Sequence, residues 1–251
     1  SPPAQNADLT QPLIQTPDAA VGLSDCATGN QKWIPRVTNI LVIGASRGIG
    51  REVAREATAR GHVVRAMSRS GRTPSGAPNA QAYKGDALVG EDIRAALEGM
   101  DVVVQALGVP VSLDLFTKPV TLFSDATRIL LPKLQEAGVT SLIAVTGFGA
   151  GDSNQAINPP HRIPIELALR RANDDKTVQE RPIEESGLDW LIVRPGILVS
   201  APTTRAPQVL TQPTDWRNGL ISRSAVARFI VERIEADHYG RQKPVLICLP
   251  L

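Results

Sequence analysis

The stretch that most constrains this chain is Asn39-Ile40-Leu41-Val42-Ile43-Gly44-Ala45-Ser46-Arg47-Gly48-Ile49-Gly50-Arg51-Glu52-Val53-Ala54. An apolar run of strand length stops at a glycine-rich turn, and a helical pattern begins at once. Gly44 permits a tight turn, and Gly48 and Gly50 let backbone and helix approach closely. The first helical turn then leaves free N–H groups and a positive dipole end, which suits a nucleotide pyrophosphate. Ser46, Arg47 and Ile49 lie inside the same turn and are expected to share the nucleotide contacts.

The rest of the chain follows the rhythm this unit sets. Apolar strand-length runs at 39–44, 62–67, 80–84, 101–107, 141–145, 189–193 and 244–249 alternate with helical patterns at 48–60, 91–98, 120–137, 165–186 and 223–235. Alternation of this kind predicts a doubly wound α/β fold, a mostly parallel sheet with helices on both faces. A length of 251 residues suits a single domain of that class. Residues 1–37 read differently, with prolines at 2, 3, 12, 17 and 35, small polar residues and no sustained period. They are expected to form an irregular N-terminal extension to a domain spanning 38–251. Two polar segments, at about 148–165 and 196–222, are expected to be loops bordering a substrate.

Gly44-Ala45-Ser46-Arg47-Gly48-Ile49-Gly50 resembles the glycine fingerprint of the short-chain dehydrogenase/reductase superfamily, with its Rossmann fold and nicotinamide cofactor. NAD enzymes commonly place an acid at the end of the second strand to accept from the ribose hydroxyls. Ser68-Arg69 stands there instead, and Arg47 is already in the turn. Two guanidiniums and a hydroxyl suit a 2′-phosphate, which Arg grips through charge-assisted hydrogen bonds. The expected cofactor is therefore NADP(H). The resemblance also implies that Asp86 and Ala87, after strand three, face the adenine, that Ala106 and Gly108 border the cofactor, and that Pro195 and Gly196 approach the nicotinamide.

The superfamily's usual Tyr-x-x-x-Lys on the helix after strand five is not intact here. Lys176 takes the place of the lysine, but Ala172 stands where the tyrosine would be. Tyr239-Gly240-Arg241-Gln242-Lys243 matches the pattern by letter, yet it contains a glycine, precedes Pro244 and follows the last helix, so it is read as a coincidence. The run Lys176…Glu180…Ser186-Gly187-Leu188…Arg194-Pro195-Gly196 resembles the atypical branch that holds the NmrA-like proteins and the flavin reductase/biliverdin reductase B group. The expected machinery is Lys176 on the nicotinamide ribose, Thr146 as the hydroxyl at the end of strand five, and His161 as a possible acid. Phe148, His161 and Trp216 are expected around the substrate.

These residues predict an NADPH-dependent oxidoreductase that reduces a small aromatic or conjugated acceptor of flavin, quinone or enone type. Hydride transfer needs positioning more than protein chemistry, and such acceptors can draw a proton from solvent. Two alternatives stay open: a nonenzymatic NADP(H)-binding redox sensor, and an isomerase or cyclase reusing the pocket.

A formal charge of +2 with arginines spread along the chain argues against a nucleic-acid partner. No apolar run approaches the roughly 20 residues that span a bilayer. Cys26 and Cys248 are too few for a disulfide framework, and no metal-ligand spacing appears. A cytoplasmic monomer or small homo-oligomer is expected, with an exported compartment the alternative if the two cysteines bond.

Overall fold

β1 (Asn39–Ile43) alternates its side chains between two cores, which makes it the spine of the domain. Ile40 and Val42 enter one buried cluster, and Leu41 and Ile43 enter the other. The computed structural model describes residues 36–109, 120–156, 164–200, 205–237 and 239–250, with the side chains of 154–156 and 164–170 excepted.

From β1 the chain passes through α1 (Gly48–Ala59), β2 (Val63–Ser68), β3 (Gln81–Lys84), α2 (Gly90–Ala96) and β4 (Val102–Gln105). It continues through α3 (Leu122–Ala137), β5 (Ser141–Val145), α4 (Pro164–Glu184), β6 (Asp189–Pro195) and β7 (Ile197–Val199). β8 (Gln208–Leu210), β9 (Gly219–Ser222), α5 (Arg223–Glu235), β10 (Val245–Ile247) and β11 (Leu249–Pro250) complete it. The main sheet has eight strands in the order β3-β2-β1-β4-β5-β6-β10-β8. β1 through β6 and β10 pair in parallel, and only the edge strand β8 runs antiparallel to its neighbour. This is a Rossmann-like α/β sheet. α1 and α5 lie together on one face, where Val53, Ala54 and Ala57 recur at helical spacing against Val226, Phe229 and Ile230. α2 and α3 cover the other face through Ile93, Leu130 and Leu134.

The segment 196–222 departs from expectation. It holds β7, β8 and β9 instead of a continuous loop, and β7 and β9 join β11 in a second, three-stranded sheet. Strands of three or four residues are too short to show a period of two, and the threonines and prolines between them read as loop. The final apolar run also divides. β10 stays in the main sheet, and after Cys248 β11 crosses to the small one. Two close crossings weld the sheets together. A side chain at Gly196 would strike the Gly219 carbonyl, and one at Gly219 would reach the Leu249 carbonyl and Ile247. Within 148–165 the residues Gly151–Ala156 form a short 3-10 helix, and 157–163 lie outside the described residues.

Candidate active site

The chain runs from β1 outward to β2 and β3, then returns to β4 on the other side of β1. Reversals of this kind leave a crevice at the carboxyl ends of the strands. Here it is a cleft of about 780 Å³, bordered by Ile43, Met67, Ala106 and Val145 at the ends of β1, β2, β4 and β5.

The glycine turn forms its floor. Gly44 has φ of 92°, and the N–H groups of Gly44 and Ala45 donate to the Met67 carbonyl at 3.0 and 3.2 Å. A side chain at Gly44 would meet the Ala106 carbonyl at 2.6 Å, and one at Gly50 would strike the Gly44 carbonyl. Gly48 has φ of 63°, yet the space its side chain would take is open. Arg47 at the N-cap of α1 makes no side-chain capping bond. Unclaimed first-turn donors beside an open cradle fit the pyrophosphate of a dinucleotide.

Thirteen of the expected site residues border this cleft: Gly44, Ser46, Arg47, Gly48 and Ile49 from the turn, Ser68, Arg69, Asp86 and Ala87 from β2 and β3, and Ala106, Gly108, Thr146 and Lys176 further along. Arg47 and Arg69 are both exposed. The Ser68 hydroxyl is buried and shares a 3.2 Å hydrogen bond with Ser70. Asp86 accepts from the Leu88 N–H at 3.0 Å, and its own N–H donates to Asp92 at 2.8 Å.

At the far end, Lys176 donates from Nζ to the Thr146 carbonyl at 2.7 Å and lies 5.0 Å from the centre of the Phe123 ring. Burial pulls its pKa down to about 8, against the raising influence of Glu180 and Asp175. Ala172, one turn earlier, is buried in a cluster with Phe123 and Leu107. The position of the absent tyrosine is thus packed against α3.

Thr146 borders the cleft, but its hydroxyl is committed, donating to Glu180 Oε1 at 2.8 Å. Glu180 in turn accepts two bonds from the fully buried Arg194, Nε to Oε1 at 3.0 Å and Nη2 to Oε2 at 2.6 Å. Asp152 lies 2.6 Å from the same Nη2 and 3.3 Å from Lys243 Nζ. Burial opposes the charge on Arg194, but the bonds and charges of Glu180 and Asp152 outweigh it and raise the pKa. Asp152 shows the converse: desolvation works against its carboxylate, while Arg194 and Lys243 more than compensate and lower the pKa.

Five expected residues are not on the described cleft wall, the first of them Gly50, which is buried behind the turn against the Gly44 carbonyl. Phe148 and Trp216 pack instead on Leu210, Val245 and Ile247, where Trp216 stacks 5.1 Å from the Arg194 guanidinium and donates to the Leu210 carbonyl at 3.1 Å. The Pro195 carbonyl accepts from the Phe148 N–H at 2.9 Å, and the Gly196 N–H donates to Leu246 at 3.0 Å, so both serve strand pairing. His161 and Cys26 lie outside the described residues. Cys248 is buried. Tyr239 is buried in the core away from the cleft, and burial raises its pKa. Leu198 and Arg223 border the cleft unforeseen, Leu198 from β7, hidden in 196–222, and Arg223 from the first position of α5. Glu180 and Arg194 stood in the quoted run, but no spacing rule pairs a helix residue with one on the next strand.

These features define an NAD(P)H-binding, oxidoreductase-like protein. Residues 44–237 match the NAD(P)H-binding family, and the chain belongs to it. An uncharacterized chloroplastic protein of Arabidopsis thaliana is 27% identical over 208 residues, which cover 79% of this chain and 72% of that protein. ChuY of Escherichia coli CFT073 superposes with a TM-score of 0.70 at 26% identity, covering 84% of this chain and 97% of ChuY. The O157:H7 ChuY, described as an anaerobilin reductase, gives 0.70 at 24% identity with the same coverage. No helix among the described residues is long and apolar enough to cross a membrane.

Proposed function

We propose that the protein is an NADPH-dependent reductase of a small aromatic or conjugated acceptor. The observation that carries this reading is Ala172: Lys176 faces the cleft, and the place of a proton-donating tyrosine is filled by a buried methyl group. An alcohol or ketone needs a positioned acid, whereas a flavin-, quinone- or enone-like acceptor can take its proton from water. The O157:H7 ChuY, described as an anaerobilin reductase, supports a reductase reading by analogy of fold.

Bound dihydronicotinamide supplies a hydride; the chain supplies binding, orientation and exclusion of water. The first turn of α1 holds the pyrophosphate, and Arg47 and Arg69 hold the 2′-phosphate. With a pKa of about 8, Lys176 is mainly an ammonium at neutral pH and donates to the ribose hydroxyls. Leu198 and Val145 give the cleft an apolar wall.

The test is NADPH oxidation followed by absorbance with flavin, quinone, enone and linear tetrapyrrole panels. Turnover with at least one conjugated class and none with simple ketones is expected. Tight NADPH binding with silence across all panels would overturn the reading in favour of a redox sensor.

A further inference from the structure

Lys176 has a carboxylate one helical turn away, and yet no hydrogen bond joins it to Glu180. The reason lies in how Glu180 is occupied. Oε1 accepts from the Thr146 hydroxyl at 2.8 Å and from Arg194 Nε at 3.0 Å, while Oε2 accepts from Arg194 Nη2 at 2.6 Å. Both oxygens therefore turn toward β6. The lysine donates to the main-chain carbonyl of Thr146, the same residue whose hydroxyl Glu180 holds. An ammonium has three donors, and the single bond to Thr146 leaves the others available to the cleft.

We propose that Glu180 is a positioning residue for Lys176, acting through Thr146, and that Arg194 keeps Glu180 from capturing the lysine outright. Arg194 is itself held by Asp152 at 2.6 Å and faced by the Trp216 ring. The fit is tight: a side chain at Gly151 would strike Glu180 Oε2 and reach Arg194 Nη2. Glu180 thus does two things to Lys176. It fixes the carbonyl the lysine leans on, and its charge favours the ammonium without a salt bridge that would draw it from the cleft. Asp175 adds a second favourable charge, but no other group around the lysine also holds Thr146. Asp175, on the same helix, spends its carboxylate on the N–H groups of Phe123 and Ser124 at the start of α3. α3 presents the uncharged Phe123 ring, the 151–156 turn presents Asp152 to Arg194, and Arg47, Arg69, Asp86 and Arg223 border the cleft. The inference rests on the reading that Lys176 contacts the cofactor.

The experiment measures NADPH affinity from pH 6 to 10 for the wild type, Lys176→Met, Glu180→Gln and Thr146→Val, with thermal melts alongside. Glu180→Gln keeps an acceptor for Thr146 and removes the charge. Its inflection is expected to fall by about one pH unit, toward 7, since an opposite charge at this range is worth one unit or more. Thr146→Val keeps the carbonyl and the charge but unties residue 146 from the carboxylate, which Arg194 still holds. It should weaken NADPH binding roughly tenfold, the effect of one lost charge-assisted hydrogen bond, with the inflection retained. A folded Glu180→Gln with the wild-type inflection would overturn the proposal. So would Thr146→Val with unchanged affinity, which decides the matter even if Glu180→Gln does not fold. Failure of the underlying reading looks different: Lys176→Met would then bind NADPH like the wild type at every pH.

Discussion

Replacing Gly50 with Ala sets two physical effects of opposite sign against each other. Gly50 lies in the first turn of α1 with no positive φ, so alanine there would ordinarily stabilise the helix by about 1 kcal/mol. The added Cβ, however, would collide with the Gly44 carbonyl oxygen, lie 2.9 Å from its carbon and 3.3 Å from Ala45 Cα. Relaxed carbon contacts sit at about 3.5–4.0 Å, so α1 must retreat from the turn by roughly 1 Å. All three neighbours are backbone, and no side-chain rotation can relieve the clash. Overpacking of this kind costs about 1–3 kcal/mol. Taking the upper end because nothing can rotate away, and subtracting the propensity gain, leaves about 2 kcal/mol of destabilisation. For a domain of this size that lowers the melting midpoint by about 4–8 °C. The retreat also carries the first-turn donors off the pyrophosphate. The assay is a thermal melt without cofactor, followed by a fluorescence titration with NADPH, in which affinity should fall at least tenfold. A melting point equal to or above that of the wild type would refute the steric reasoning, because propensity alone would then be deciding the sign.

Neutralising Arg47 and Arg69 together should cost NADPH about 10- to 100-fold in affinity, each exposed charge-assisted contact being worth about 1 kcal/mol after solvent screening, and should leave NADH nearly unchanged. Paired titrations check this, and equal wild-type affinity for the two cofactors would sink the 2′-phosphate assignment. The Lys176 pKa is depressed in the fold, so the unfolded chain binds more protons between about pH 8 and its ordinary value of 10.5. Stability relative to Lys176→Met should therefore rise with pH across that window, read from denaturant midpoints, while NADPH affinity falls as pH passes about 8. Ala172→Tyr should lose about 1–3 kcal/mol of stability by overpacking the cluster with Phe123, and should not gain ketone reductase activity; a stable variant that reduces simple ketones would contradict the packing described here.

The sheet and the cofactor end of the cleft were legible because their signals are local. β1, the glycine turn and α1 occupy consecutive residues, and each apolar strand announces itself by length and composition. The acceptor end was not, for reasons of scale and distance. β7, β8 and β9 are too short to carry a period, so Leu198 was hidden in what read as loop, and the helix read over 223–235 gave no sign that its first residue, Arg223, reaches the cleft. Trp216 read as a substrate contact because large aromatics in loops often are; its actual partner, the Arg194 guanidinium, lies on a strand 22 positions earlier. Thr146 was found by its place after β5, but the carboxylate that accepts its hydrogen bond comes from a helix 34 residues on. A hydroxyl's direction cannot be read from its position in the chain.

The crossings at Gly196 and Gly219 bear on how this cleft can diversify. One main-sheet strand, β6, becomes β7 across a single residue, and β10 becomes β11 in the same manner. This flank of the cleft is therefore an extension of the scaffold, anchored at two points, and bulk at either glycine would pry the sheets apart. Variation in acceptor preference is left to the side chains that β7 and the start of α5 present, Leu198 and Arg223 first among them. On the proposed reading, a change of acceptor would be a matter of exchanging wall residues on a fixed frame, which makes this flank a tractable surface for redirecting the protein without disturbing the glycine turn.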